Sequence, residues 1–257
     1  MSGFSPGTLA VLAALVFFAG VVDALAGGGG LITLPAYLAA GLDPALLLGT
    51  NKLASSIGTT ASALRYWREL KLPLRPFLPV VGAALAGALV GARLTLLFDP
   101  AWIRPLLLVV LPLVGFAVHA HREPPGEPPG GRPREEAARP ALAVGAAVGA
   151  YDGFIGPGTG TFFALALTRF CGYGLLAATA RAKVLNLASN LAALAAFLWA
   201  GRVGLELGLA MGLVSVAGHA VGAQLGLRRG AAVIRPALLA VCAVLFAKLA
   251  LDVLRGV

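Results

Sequence analysis

The sequence predicts an all-α, polytopic membrane protein built from two homologous repeats, and three observations carry that expectation. The chain of 257 residues is 59% hydrophobic and 12% charged, where a soluble domain is nearer half apolar and a quarter charged; its mean hydropathy is +0.89. The apolar residues fall in eight continuous stretches, 8–26, 44–66, 77–98, 101–119, 140–157, 175–200, 204–226 and 231–254, and a spanning helix needs about 20 such residues. A membrane barrel would show short alternating strands instead. The third observation is an internal repeat. "GLDP…GTNK" at 41–52 matches "GYGL…ARAK" at 172–183, "GALVGARL" at 87–94 matches "GHAVGAQL" at 218–225, and "IRPLLLVV" at 103–110 matches "IRPALLAV" at 234–241. All three pairs share one offset of 131 residues (172 − 41), so the halves descend from one unit.

The elements follow in chain order. The first stretch lacks the charged leader and cleavage site of a secretory signal, so it is expected to stay as a helix. It ends at Asp23 and the run Gly27, Gly28, Gly29, Gly30. A short apolar segment, 31–42, comes next; twelve residues rise only about 18 Å as a helix, too little for a hydrocarbon core of about 30 Å. Three full-length helices complete the half. The second half has the same grammar, with Asp152, the loop "GPGTG" at 156–160 and the short segment 161–171. Here the aspartates are offset by 129 (152 − 23). The joint, "HREPPGEPPGGRPREEAARP" at 121–140, is rich in proline, glycine and charge, as a solvated linker is. The expected organisation is a first repeat over 1–120, a cytoplasmic linker over 121–140 and a second repeat over 141–257: about eight full transmembrane helices and two short broken or re-entrant ones.

The net charge of +9 does not point to nucleic acid, because the arginines cluster between apolar runs as they do in cytoplasmic loops. Arg65, Arg68, Lys71 and Arg75 are assigned to one such loop, and Arg122, Arg132, Arg134 and Arg139 to the linker. The cluster Arg228, Arg229, Arg235 falls on the same side only if the repeats are inverted. Four glycine rows, Gly87-Gly91, Gly145-Gly149-Gly153, Gly204-Gly208-Gly212 and Gly218-Gly222-Gly226, read as close helix contacts. Cys171 and Cys242 are isolated and imply no disulfide framework.

Paired interrupted segments are the best sequence pointer to a transporter's binding site. Broken backbone inside a membrane is tolerated only where protein or a water-filled cavity satisfies it. A helix N-terminus presents free N–H groups and about half a positive charge, so two facing N-termini make a site for a small anion. The expected solute-binding set is Gly27, Gly28, Gly29, Gly30, Thr33, Thr50, Asn51, Lys52 and Ser55 in the first half. In the second half it is Gly156, Gly158, Thr159, Gly160, Thr161, Lys183, Asn186, Ser189 and Asn190. Ser56 and Thr59 are further donors in the same apolar helices. Lys52 and Lys183 hold duplicated positions and would make the cavity electropositive. Asp23, Asp152 and Arg181 are assigned to proton coupling or ion pairs; capping at a helix break is the structural alternative for the aspartates. His119, His121 and His219 show no metal-ligand spacing, "GTNK" is not a Walker loop and "GPGTGT" lacks the dinucleotide spacing. Neither metal, cofactor nor ATP-driven step is expected.

With these residues in view, the chain resembles the TauE/SafE sulfite exporter family, also called TSUP, and within it the YfcA-like branch. The residues that carry the resemblance are "D-x3-GGGG-L-x-T-L-P", "GLDPALLLGTNKLASSIGT", "GAYDGFIGPGTGTF" and "KVLNLASNLAAL", spread over both halves. The resemblance implies a multi-pass permease of the bacterial inner membrane, linked to sulfite and organosulfonates such as sulfoacetate, with lipid and a small anionic solute as partners. Carried over, the motif covers Gly27 to Gly30, Pro35, Thr50, Asn51 and Lys52, then Gly156, Gly158, Gly160, Lys183, Asn186, Ser189 and Asn190. Pro157 departs from it, standing in place of a small residue and removing an N–H donor. The expected function is secondary transport, in the export direction, of a small anion. A monovalent anion leaving an inside-negative cell gains about 2.3 kcal/mol per 100 mV. The alternative is a channel-like or metal-cation permease; an enzyme is not expected, and a homo-oligomer is left open.

Overall fold

The computed structural model describes residues 4–102 and 138–229, with 232, 233 and 236 beyond them. Most of the stretches 101–119 and 231–254 and of the linker lie outside the described residues. So do the first "IRP" motif, Ile234 and Arg235 of the second, and His119, His121, Arg122, Arg132, Arg134 and Cys242. Among the described residues the chain forms eight helices and no strand: α1 (Pro6–Ala26), α2 (Gly29–Ala39), α3 (Pro44–Leu70), α4 (Leu78–Leu96), α5 (Ala138–Phe154), α6 (Thr159–Cys171), α7 (Leu175–Trp199) and α8 (Leu205–Arg229). The segment Arg75–Leu96, α1, α7 and α8 are each long and apolar enough to cross a bilayer.

Local chemistry sets the boundaries. Ser5 caps α1 by accepting the Thr8 N–H at 3.1 Å, and Pro6 opens its first turn. Asp43 and Pro44 do the same for α3, with Asp43 accepting the Ala45 N–H at 2.8 Å. α1 stops at Gly27, whose φ of 79° is a left-handed backbone that glycine adopts without steric cost. The two short helices begin two residues earlier than the sequence suggests, at Gly29 and Thr159. Glycines are poor helix formers, but the Asp23 carboxylate accepts the Gly29 N–H at 3.1 Å and so starts α2 inside the glycine run. Arg65 and Arg68, expected in a loop, belong to α3. Arg65 donates to the Ala220 carbonyl oxygen of α8 at 3.1 Å, which ties the end of α3 to its neighbour.

The helices of the two halves interlock. α1 packs along α8, and α4 along α5, in both cases running in the same direction. Glycine rows line both seams. A Cβ on Gly149 or Gly153 would strike the carbonyl oxygens of Ala84 and Ala88, and one on Gly218 or Gly222 those of Phe17 and Val21. α3 and α7 cross in opposite directions: Leu48 shares a cavity wall with Phe197, Lys52 reaches Asn190, and Tyr66 clusters with Ala180. The short helices double back on their predecessors. The end of α2 (Ala36, Ala39, Ala40) lies beside the start of α1 (Thr8, Val11, Leu12), and Leu167 and Cys171 of α6 cluster with Ala141 and Val144 of α5.

These directions sort the charges by end. The end that holds the C-termini of α3, α6 and α8 and the N-termini of α4, α5 and α7 carries Arg65, Arg68, Lys71, Arg75, Arg139, Arg169, Arg228 and Arg229 against Glu69. The other end carries Arg93 and Arg202 against Asp43, Asp99 and Glu206.

Candidate functional site

The two glycine turns meet. A Cβ on Gly160 would lie 2.5 Å from Gly27 Cα, and one on Gly30 would lie 3.3 Å from Pro157 Cα. Thr161 fastens the contact by donating to the Ala26 carbonyl oxygen at 2.5 Å. Beside this junction, at the crossing of α3 and α7, is a cavity of about 20 Å³. Its walls are Asp23, Gly27, Gly30, Asn51, Lys52, Ser55, Asp152, Gly156, Thr159, Asn186 and Asn190. Ser55 stands eleven residues into α3, about 17 Å along a helix of about 40 Å, so the cavity lies near mid-length. Room of this size admits about one water, and a polyatomic anion enters only if the walls part.

The charges form a reciprocal pattern. Lys52 of the first half pairs with Asp152 of the second at 2.7 Å, and Lys183 of the second pairs with Asp23 of the first at 3.4 Å. All four groups are buried. Lys52 also donates to Asn190 Oδ1 at 2.9 Å, and Asn190 donates weakly to Asn186 Oδ1 at 3.4 Å. Lys183 donates to the Asp23 backbone carbonyl as well. With all four ionised these four groups sum to zero: each lysine is neutralised by the aspartate of the other half, so the lysines by themselves do not make the cavity electropositive. Pairing of this kind is what allows such charges to be buried. The anion at the N-terminus of α2 is likewise the protein's own, because Asp23 Oδ1 occupies the Gly29 N–H. The Asp152 carboxylate differs, for its Oδ2 is buried with no hydrogen-bond partner among the described residues.

The remaining expected residues surround the cavity without lining it. Thr33 holds Asn51 through a 2.5 Å bond to Asn51 Oδ1. Ser189 donates to the Asn186 carbonyl oxygen at 3.1 Å. Gly28, Gly29, Gly158, Gly160 and Thr161 build the turns, and Lys183 stands behind Asp23. Thr50 is elsewhere: its Oγ1 accepts the Gly204 N–H at 2.9 Å, joining α3 to the start of α8. Arg181 makes no ion pair with the cluster. Its guanidinium lies 4.2 Å from the centroid of the Tyr173 ring and 6.0 Å from that of Phe77, where cation–π attraction replaces the carboxylate.

Sequence reasoning missed His219. Its Nε2 lies 3.0 Å from Asp23 Oδ2, and its Nδ1 lies 2.9 Å from the Ser215 carbonyl oxygen. Metal-ligand spacing is the wrong test for a side chain whose partner is 196 residues away. The available signal was its position inside the repeat, where His219 stands at the place of Ala88 between two glycines that both halves share, Gly218 for Gly87 and Gly222 for Gly91.

Comparison with known proteins agrees with this architecture. The family described as "Sulfite exporter TauE/SafE" matches residues 12–249. The chain is 37% identical over 246 residues to the probable membrane transporter protein ORF9 of a Sinorhizobium species, covering 95% of this chain and 93% of that protein. It is 36% identical over 248 residues to the probable membrane transporter protein YfcA of Escherichia coli K12, covering 96% and 91%. A probable membrane transporter protein of Haemophilus influenzae is 34% identical over 244 residues, covering 95% of each chain. No solved structure matches the chain significantly. With a match spanning both halves, and relatives that share its full length, the chain belongs to the TauE/SafE sulfite exporter family of multi-pass bacterial membrane transporters.

Proposed function

We propose that the protein is a secondary transporter of the inner membrane that carries a small oxyanion, sulfite or an organosulfonate, outward through the cavity between the two glycine turns. The observation that carries this proposal is the pair of exchanged ion pairs, Lys52–Asp152 and Lys183–Asp23. A purely structural pairing could be made within one half. Pairing across the halves makes each bond sensitive to their relative movement, which is what alternating access requires. When the walls part, Lys52, Asn51, Asn190 and the amides at the turns can transfer from internal partners to a solute.

The same proposal treats 1–120 and 141–257 as inverted repeats. Opposite directions of α3 and α7 support it, as does the gathering of basic residues at one end, which the charge rule assigns to the cytoplasm. From the other end an apolar cavity of about 480 Å³ reaches Leu48 and Ile155, which adjoin Lys52 and Gly156 by one turn and one residue. The test is flux into proteoliposomes, with sulfite, thiosulfate, sulfoacetate, sulfate and nickel compared in one assay. Saturable flux of a sulfur oxyanion is expected. Flux of nickel without any anion would overturn the proposal.

A further inference from the structure

We propose that His219 is a proton-binding residue: it shares with Asp23 one exchangeable proton, in one half of the molecule only, and that proton adds to the cavity one positive charge that a bound anion offsets. This rests on the anion-transport reading above and gives it a coupling ion.

The hydrogen bonds set the proton count. A carbonyl oxygen only accepts, so the 2.9 Å contact of Nδ1 with the Ser215 carbonyl places a hydrogen on Nδ1; the Ser215 hydroxyl, 3.2 Å away, completes that side. Nε2 then faces Asp23 Oδ2 at 3.0 Å. Two bare acceptors do not approach so closely, so the pair holds one proton more than a neutral imidazole beside an ionised carboxylate. The proton rests on Nε2 or on Oδ2, and the net charge is the same. Thr59 of α3 stands at the edge of hydrogen-bond range, 3.5 Å from Nε2. The charged groups facing this pair are Lys183 of α7, on Asp23 itself, and the Lys52–Asp152 pair across the cavity.

The charge balance gives the sign of the coupling. Without the shared proton, two lysines and two aspartates sum to zero. With it the cluster carries +1, and Asp23, which lines the cavity, no longer repels a solute. Proton and anion therefore bind together, and anion affinity rises as pH falls. The asymmetry limits the count to one, because in the 131-residue register Ala88 stands where the second half has His219, so Asp152 has no such partner among the described residues.

The test uses the full chain in liposomes loaded with a pH dye, with thiosulfate as probe because it stays ionised across the working range. Wild type is expected to move protons with thiosulfate. His219→Gln keeps a donor toward Asp23 but cannot take up a proton; it is expected to lower thiosulfate affinity, and the flux measured at raised thiosulfate is expected to lose both the accompanying proton movement and the pH dependence. A His219→Gln protein with the wild-type ratio of protons to anion overturns the proposal. Absence of thiosulfate flux in the wild type counts against the anion reading instead. The histidine is then decided by ¹⁵N NMR of histidine-labelled protein in lipid, with His119 and His121 changed to Gln. A protonated Nδ1, and an Nε2 signal that shifts in Asp23→Asn, are expected. A bare Nδ1 overturns the assignment.

Discussion

Lys52 and Asp152 show how one residue pair sets both stability and chemistry. Neither side chain reaches water to any extent, so each depends on the other for its charge. Removing one partner of a buried pair costs about 3–5 kcal/mol, because the remaining charge is left uncompensated. Lys52→Ala is therefore expected to lower the melting temperature sharply in detergent, and Lys52→Gln combined with Asp152→Asn to recover most of the loss. Equal melting temperatures for the single variant and wild type would mean that the pair does not form. Both lysines and both aspartates were legible in the sequence, because duplication marks them twice. The partners were not legible, since the spacings give no hint that Lys52 crosses to Asp152 or that Asp23 meets His219. Lysines counted without their partners suggest an electropositive cavity; paired, their charge is cancelled by the two aspartates. Arg181 was assigned to an ion pair because its aromatic neighbours carry no charge to mark them: Tyr173 lies eight residues upstream (181 − 173) and Phe77 104 residues upstream (181 − 77).

Among the elements, the α4–α5 seam depends most on residue size. Gly87 and Gly91 face the backbone of α5 while Gly145, Gly149 and Gly153 face that of α4, so the helices meet almost without side chains between them. Gly91→Leu must push Ala150 away and is expected to cost about 1–3 kcal/mol or more. Gly82→Ala, where nothing lies within 4 Å of the added Cβ, is expected to keep or slightly raise thermal stability, because alanine favours the helix over glycine. A neutral Gly91→Leu would contradict the seam. The glycine rows were readable as contacts from their four-residue spacing. Which helices they join was not readable, because one face of a row looks the same whatever packs on it. The starts of α2 and α6 were displaced for a local reason: glycine runs read as breaks, and only the Asp23 carboxylate at Gly29 shows where the helix resumes.

At the scale of the whole molecule, the charge distribution carries the topology. One end has eight basic residues against one acid, and the other two against three, among the described residues. Single cysteines at 75 and 229, in a background lacking Cys171 and Cys242, are expected to label only from the cytoplasmic side, and cysteines at 43 and 99 only from outside. Labelling of 75 and 229 from opposite sides would rule out inverted repeats. Duplication and charge clustering were both visible in the sequence. Interlocking of the halves, with α1 of one against α8 of the other, was not, because it depends on long-range packing that hydropathy does not encode. The most direct measurement of the central claim is sulfite and thiosulfate flux into proteoliposomes, comparing wild type with the charge-neutral Lys52→Gln, Asp152→Asn protein. Saturable flux in wild type, falling to the level of empty liposomes in a double variant that still folds, is the predicted result. Undiminished flux in that variant would contradict an anion site between the glycine turns.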